Sequence, residues 1–194
     1  SFIGISLGVA VLIIVMSVMN GFRTELVNKI VSFNSHVTVK PYESRISEDK
    51  LNNNSLKKIS KELILSNSGE AIVISKDYTT GIILRGYNSK DFSKLDVVKK
   101  GDFNGQSNQL TKNSISIGKE LSFNLDLGVG DRVSIMSPIG IETIIGSLPK
   151  QKTFIINSIF DSGLADFDAN IAFINLDTLE SFFAFEKKKR NLEI

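Results

Sequence analysis

The chain has 194 residues, and its 23 basic and 21 acidic side chains leave a formal net charge of +2. That length serves one sizeable core or two small ones and is too short for a multidomain enzyme, while the near-balance of charge argues against a nucleic-acid partner, which needs clustered Lys and Arg interleaved with aromatics. Cysteine is absent, which excludes disulfide frameworks, Cys-ligated zinc and thiol catalysis; it fits an oxidising compartment, though cytosolic domains also lack it in some cases.

The charges are unevenly placed, with none before Arg23. The run from Phe2 to Met19 is 18 residues without a charge, and at about 1.5 Å per residue it is roughly 27 Å long, close to the hydrocarbon core of a bilayer. A secretory signal would have a shorter apolar region and a small-residue cleavage site, and no such site follows Met19. The run reads as the end of a transmembrane helix, with a buried helix of a soluble protein as the alternative. No Met and no basic flank precede Ser1, so the chain is expected to be a piece of a longer protein, and its orientation is not readable from flanking charge. Gly4 and Gly8 stand four apart, a weak signal for close helix approach in lipid. Phe22, Leu26, Ile30 and Phe33 continue the helical period opposite Arg23, Glu25 and Lys29, which predicts an amphipathic stalk and places Glu25 and Lys29 for an ion pair. Residues 1–32 form this leader.

Beyond it, His36 to Lys40 alternates like a half-buried strand that Pro41 ends. Leu56, Ile59 and Leu63 recur at helical spacing, predicting an amphipathic helix that starts between Ser47 and Ser55. Strands are expected at Ala71 to Ser75 and Thr80 to Tyr87, with Asn52-Asn53-Asn54 and Asn67-Ser68-Gly69 as loops. From Gly101 to Asp161 short β-branched runs (Ser114 to Ile117, Arg132 to Met136, Thr143 to Ile145, Phe154 to Phe160) alternate with Gly-containing turns. Gly118 to Leu127 predicts a short helix burying Leu121 and Leu125, and Gly128-Val129-Gly130-Asp131 a turn. Asn170 to Asn175 reads as a strand, followed by a helix capped by Asp177 with Glu180 three residues on. Phe182, Phe183 and Phe185 read as core. The expected fold class is α+β: a mixed α/β part over 33–100 and 162–194, interrupted by a β-rich insertion over 101–161.

Catalytic motifs are scarce. No G-x-x-x-x-G-K-[ST] occurs, and Gly118-Lys119 is followed by Glu120, so no phosphate loop is present and ATP would have to be handled by another chain. Gly128 and Gly130 open a G-x-G, but Val133 stands at the third glycine of a dinucleotide fingerprint. No G-x-S-x-G surrounds a serine. Asp161, Asp166 and Asp168 read as solvated turn residues rather than a cation site, and His36 as structural. Lys187 to Arg190 reads as a solvated face that near a membrane would attract anionic headgroups. The chain is expected to be no enzyme and to need no metal or cofactor.

The segment Ser137 to Lys152 is the most distinctive. Pro138 and Pro149, with Gly140 and Gly146, frame Ile139, Ile141, Ile144, Ile145 and Leu148, a pattern that predicts a projecting aliphatic hairpin with Lys150, Gln151 and Lys152 as its polar base. Such a hairpin is an exposed sticky edge unless a partner uses it. The alternative is a hairpin folded back onto the β-rich part.

The words Ser17-Val18-Met19-Asn20-Gly21-Phe22 at the end of the span, Asn34-Ser35-His36, Gly118-Lys119-Glu120-Leu121, Gly130-Asp131 and Phe167-Asp168 occur in this order along the chain. With them the sequence resembles lipoprotein-releasing ABC-transporter permeases of the LolC/LolE type, and more broadly macrolide-exporter-type permeases, whose extracytoplasmic domain has a porter-like α/β part interrupted by a β-rich part. Arg23, where relatives commonly carry an acid, and Phe167, where they often carry Tyr, depart from the pattern. The resemblance implies a bacterial inner-membrane subunit with four spans, most of this segment being periplasmic. It implies a separate ATP-binding subunit, a second permease subunit, lipoprotein substrates and a periplasmic lipoprotein carrier. In that setting the hairpin of Pro138, Ile139, Ile141, Ile144, Ile145, Leu148, Pro149, Lys150, Gln151 and Lys152 matches the hook that grips the carrier, its lysines meeting acidic groups there. Met16, Val18, Met19 and Phe22 are expected to line an acyl-chain site, Met adapting well to irregular chains. A macrolide-exporter-like or cell-division-type permease, or a membrane-anchored binding or sensor module, are the alternative readings.

Overall fold

The computed structural model describes residues 2–33, 37–40, 63–75, 78–100, 102–105, 109–143, 146–185 and 190–193. The chain divides into two compact units, Ser1–Asn34 and Ser35–Ile194. The first is one helix, α1 (Phe2–Phe33, 32 residues), whose segment Phe2–Val27 is long and apolar enough to cross a membrane. At about 1.5 Å per residue the helix is roughly 48 Å long, more than a bilayer core requires, so the apolar run and its amphipathic continuation are one uninterrupted rod.

The second unit is α+β. Its elements in chain order are β1 (Thr38–Val39), β2 (Ile64–Ile74), β3 (Thr79–Tyr87), α2 (Ser89–Phe92), α3 (Asp96–Lys100), β4 (Asp102–Gly105), β5 (Ser114–Gly118), α4 (Lys119–Leu125), β6 (Arg132–Thr143), β7 (Gly146–Asp161), α5 (Ala165–Asn170), β8 (Ile171–Asn175), α6 (Leu176–Phe182) and β9 (Asn191–Glu193). The pairings run β2 to β3 to β8 to β5 to β7 to β6 and back to β2, where Ile72 to Ile74 meet Met136 to Ser134, so six strands close into a ring. Closure removes the free edges that an open sheet would present. Outside the ring, β4 pairs with β7, and β9 lies between β1 and the start of β2.

Alternation follows from this. Ala71 and Val73, Ile82 and Leu84, Ile115 and Ile117, Val133 and Ile135, Phe154 and Ile156, and Ala172 and Ile174 supply two residues from each strand to one core. The β-rich range 101–161 thus shares a core with strands on both sides of it. Helix α4 adds Leu121 and Leu125, as the apolar spacing predicted, and α6 adds Leu179, Phe182 and, just beyond it, Phe183. Strand β7 changes parity midway. Ile115 faces Ile156 and Ser116 faces Ser158, leaving Asn157 as a bulge, and a single extra residue sends every following side chain to the opposite face. Phe160 therefore leaves the ring core for an outer aromatic cluster with Phe92, Phe103, Phe173 and Tyr87, its ring 5.0 Å from that of Phe173.

Three local expectations are corrected. Asn67-Ser68-Gly69 is not a loop but the middle of β2. Polar and small residues serve there because α6 enters the ring at this point: a side chain on Gly69 would lie 2.6 Å from the Phe183 ring, and one on Gly86, the next inward position across the ladder, 3.0 Å from Leu179. The cap of α6 is Asn175 rather than Asp177, its side-chain oxygen accepting the amides of Asp177 at 3.1 Å and Thr178 at 3.3 Å. The strand expected from His36 to Lys40 is limited to Thr38 and Val39; His36 itself, and the helix expected around Leu56, Ile59 and Leu63 up to residue 62, lie outside the described residues.

Candidate functional site

The long antiparallel pair β6 and β7 carries the hairpin. From Arg132 to Met136 it runs in regular register against Ile155 to Gln151 as part of the ring. The register then breaks: Met136 opposes Gln151 and Gly140 opposes Pro149, so Ser137, Pro138 and Ile139 face Lys150 alone. Proline cannot donate to a ladder, and the break falls where Pro138 stands. Past it the ladder resumes with Gly140 opposite Pro149, Ile141 opposite Leu148, Glu142 opposite Ser147 and Thr143 opposite Gly146. Among the described residues no third strand pairs with this outer ladder. Gly146 has a φ of +119°, a backbone state that glycine adopts without strain. Leu148 is 57% exposed, a large aliphatic side chain in water. Ile139 and Ile141 take their places in β6, and Ile144 and Ile145 lie outside the described residues.

The base of the hairpin is tied to its own domain. The Lys150 ammonium donates to the carbonyl of Ser181, in the last turn of α6, at 2.5 Å, and Lys152 donates to the carbonyl of Lys112 at 3.1 Å while lying 5.0 Å over the Phe154 ring. A cation on the last carbonyls of a helix satisfies groups that have no intrahelical partner. Partial burial, aided by Lys150, lowers the Lys152 ammonium below its ordinary range. Gln151 is exposed between them. Pro138 borders a groove of roughly 400 Å³ with Glu70, Ile72, Ile83 and Asn170.

On α1, Met16, Val18, Met19 and Phe22 are between 61% and 65% exposed. At about 100° per residue Val18, Met19 and Phe22 share an arc of roughly 100°, and Met16 lies about 60° further round. They form one apolar flank of the helix.

Other polar sites are structural, and two of them correct the sequence reading. Asp168 is not a solvated turn residue: it is 3% exposed and accepts the Ser162 amide on both carboxylate oxygens at 3.1 Å. Burial is the main cause that raises its carboxyl above the ordinary range, whereas the Lys119 ammonium, 2.7 Å away, holds Asp161 below it. Arg190 is likewise not on a solvated face; its guanidinium donates to Glu180 at 2.7 and 3.1 Å and to Asp177 at 3.2 Å. A buried Glu180 implies such a partner, but Arg190 is ten residues distant and neither helical nor strand period joins them. Also unanticipated is the Glu193 carboxylate, which receives Ser66 Oγ at 2.5 Å and Tyr87 Oη at 3.1 Å. Among the described residues no group of three or more Asp, Glu or His is placed to hold a metal ion.

Comparison with known proteins fits this layout. The model of the MacB-like periplasmic core domain matches residues 1–192. Relatives named lipoprotein-releasing system transmembrane protein LolC include one from Neisseria meningitidis, 26% identical over all of this chain and 48% of its own length. Another from Xylella fastidiosa is 23% identical over 96% of this chain and 46% of its own, and one from Buchnera aphidicola is 31% identical over 84% and 41%. The chain thus spans about half the length of the curated relatives it matches. The crystal structure of the extracellular domain of the ABC-type transporter YknZ shares the fold at a TM-score of 0.50 and 16% identity, over 81% of this chain and 83% of that one. With the family model matched from the apolar helix to the last strand, the chain belongs to the MacB-like periplasmic core domain family.

Proposed function

We propose that this chain is part of the permease subunit of an ABC transporter that moves lipoproteins from the bacterial inner membrane to a periplasmic carrier, with ATP hydrolysed by a separate subunit. The LolC relatives support the substrate, and α1 supports the membrane setting. The periplasmic contact is the hairpin of β6 and β7, and the observation that carries this reading is its outer ladder, Gly140 to Pro149, which pairs only with itself among the described residues while Leu148 stands in water. A carrier would cover Pro138, Ile139, Ile141, Ile144, Ile145, Leu148 and Pro149. A few fully desolvated residues at the centre of an interface contribute most of its energy, and burying these aliphatic side chains would remove apolar surface from water. Lys150 and Lys152 fix the base of the hairpin to the domain, and Gln151 stays available at its rim. The apolar flank of Met16, Val18, Met19 and Phe22 offers adaptable surface for acyl chains at the leaflet boundary.

The test uses the full-length permease with its ATP-binding partner. Leu148→Asp and Ile144→Asp should leave thermal unfolding unchanged and abolish co-purification with the carrier. Loss of the fold in both variants would make these side chains core; retention of both fold and carrier would remove the hairpin from the contact. Photo-crosslinkers at Met16, Val18, Met19 and Phe22 should trap lipoprotein more strongly than at Ile3 or Ile5, and equal labelling would end the acyl-site reading.

A further inference from the structure

Three observations meet at α6. Its C-terminal carbonyl at Ser181 holds Lys150, and Lys150 is the residue opposite the register break of Ser137 to Ile139, the point at which the outer hairpin departs from the ring. It also carries the exposed Asp177 and, one turn on, the buried Glu180, which receive the guanidinium of Arg190, the residue immediately before β9. Strand β9 in turn pairs with β1, Thr38 with Glu193 and Val39 with Leu192. Arg190 meets Glu180 with a planar two-point fork, which fixes direction as well as distance. The remainder of the helix is clamped in the ring by Leu179, Phe182 and Phe183.

We infer that α6 is a brace that sets the position of the β6–β7 hairpin according to the position of the paired strands β1 and β9, with Arg190 and Lys150 as its two positioning residues. The lever is short and rigid: seven residues, or about 10 Å of helix. A shift of β9 pulls on Glu180 and Asp177, α6 moves with them, and the Ser181 carbonyl carries Lys150 and the hinge of the hairpin along. The inference goes beyond the transport reading and stands whether or not the hairpin binds a carrier.

The test is a double-mutant cycle read by hydrogen exchange on the full-length protein. Glu180→Gln weakens the β9 end of the brace and Lys150→Met removes the hairpin end. Each is expected to speed exchange of the Gly140 to Leu148 amides by about fivefold, with the β5 amides unchanged. The double variant should exchange no faster than either single one, because both break the same link, whereas independent effects would multiply to roughly 25-fold. Arg190→Lys keeps the charge, loses the fork and should fall between wild type and Glu180→Gln. Should Glu180→Gln loosen β5 as well, Asp177→Asn, whose side chain is 64% exposed, replaces it in the cycle. An unchanged hairpin in the Glu180 or Asp177 variant, or multiplying effects in the double variant, would overturn the brace. Carrier binding is not read in this experiment, so its outcome is separate from that of the proposed function.

Discussion

Replacing Gly118 by alanine isolates how the middle of the chain is locked to its later part. Gly118 ends β5 and caps α4 with an ordinary extended backbone, φ −74°, so alanine meets no conformational obstacle. Space is the obstacle: the added Cβ would lie 2.1 Å from the Asp168 carbonyl oxygen, 2.5 Å from its Cα and 2.6 Å from its carbonyl carbon. All three are backbone atoms, so relief requires α5 to move by roughly 1 Å, and overpacking of this kind costs about 1–3 kcal/mol. The movement also draws Asp168 from the Ser162 amide it accepts at 3.1 Å, and losing a hydrogen bond to a buried carboxylate adds about 1.5–3 kcal/mol. The expected loss is about 2.5–6 kcal/mol, a large share of a typical domain's stability. Urea unfolding followed by far-UV circular dichroism measures it, with Gly81→Ala in β3 as a control because nothing lies within 4 Å of that position. A loss below about 1 kcal/mol would refute the claim that the Gly118 and Asp168 segments are packed backbone to backbone.

Further outcomes follow from the core and the charges. Phe154→Ala, at a fully buried inward position of β7, should cost about 3–5 kcal/mol by urea titration. Asp161 is held below its unfolded range by Lys119 and therefore stabilises the fold above the ordinary carboxyl pKa, a contribution lost as pH falls below it; Asp161→Asn should flatten the acid limb of the stability curve. Asp168 is raised by burial and acts with the opposite sign, so its ionisation withdraws stability as pH rises through its folded pKa, and Asp168→Asn should remove that decline.

The sequence made local elements with strong periodicity legible. The span, β3, β5, β8, α4 and the turn at Gly128 to Asp131 follow from spacing alone, because each buries a face that its own residues define. The ring closure was not legible: it depends on three β2 residues meeting β6 across sixty or more positions of chain, and no local pattern encodes such a pairing. The polar and small residues Asn67, Ser68 and Gly69 look like a loop because the reason for Gly69 lies just past α6, in Phe183. For the candidate site, the prolines and glycines of Ser137 to Lys152 announced a hairpin, and the register places a ladder there. What they did not announce is the attachment of Lys150 and Lys152 to carbonyls of the same domain, since exposed-looking lysines carry no sign of which acceptor they meet. Arg190 was masked in the same way by the lysines that precede it.

The most direct test of the transport reading is release from proteoliposomes containing the full-length protein, its partner subunits and a triacylated lipoprotein. With a soluble periplasmic carrier outside, addition of ATP should transfer lipoprotein from membrane to the carrier-bound soluble fraction, and omission of either ATP or carrier should leave it in the membrane. Equal lipoprotein retention with and without ATP, in vesicles whose ATPase is active, would contradict the account.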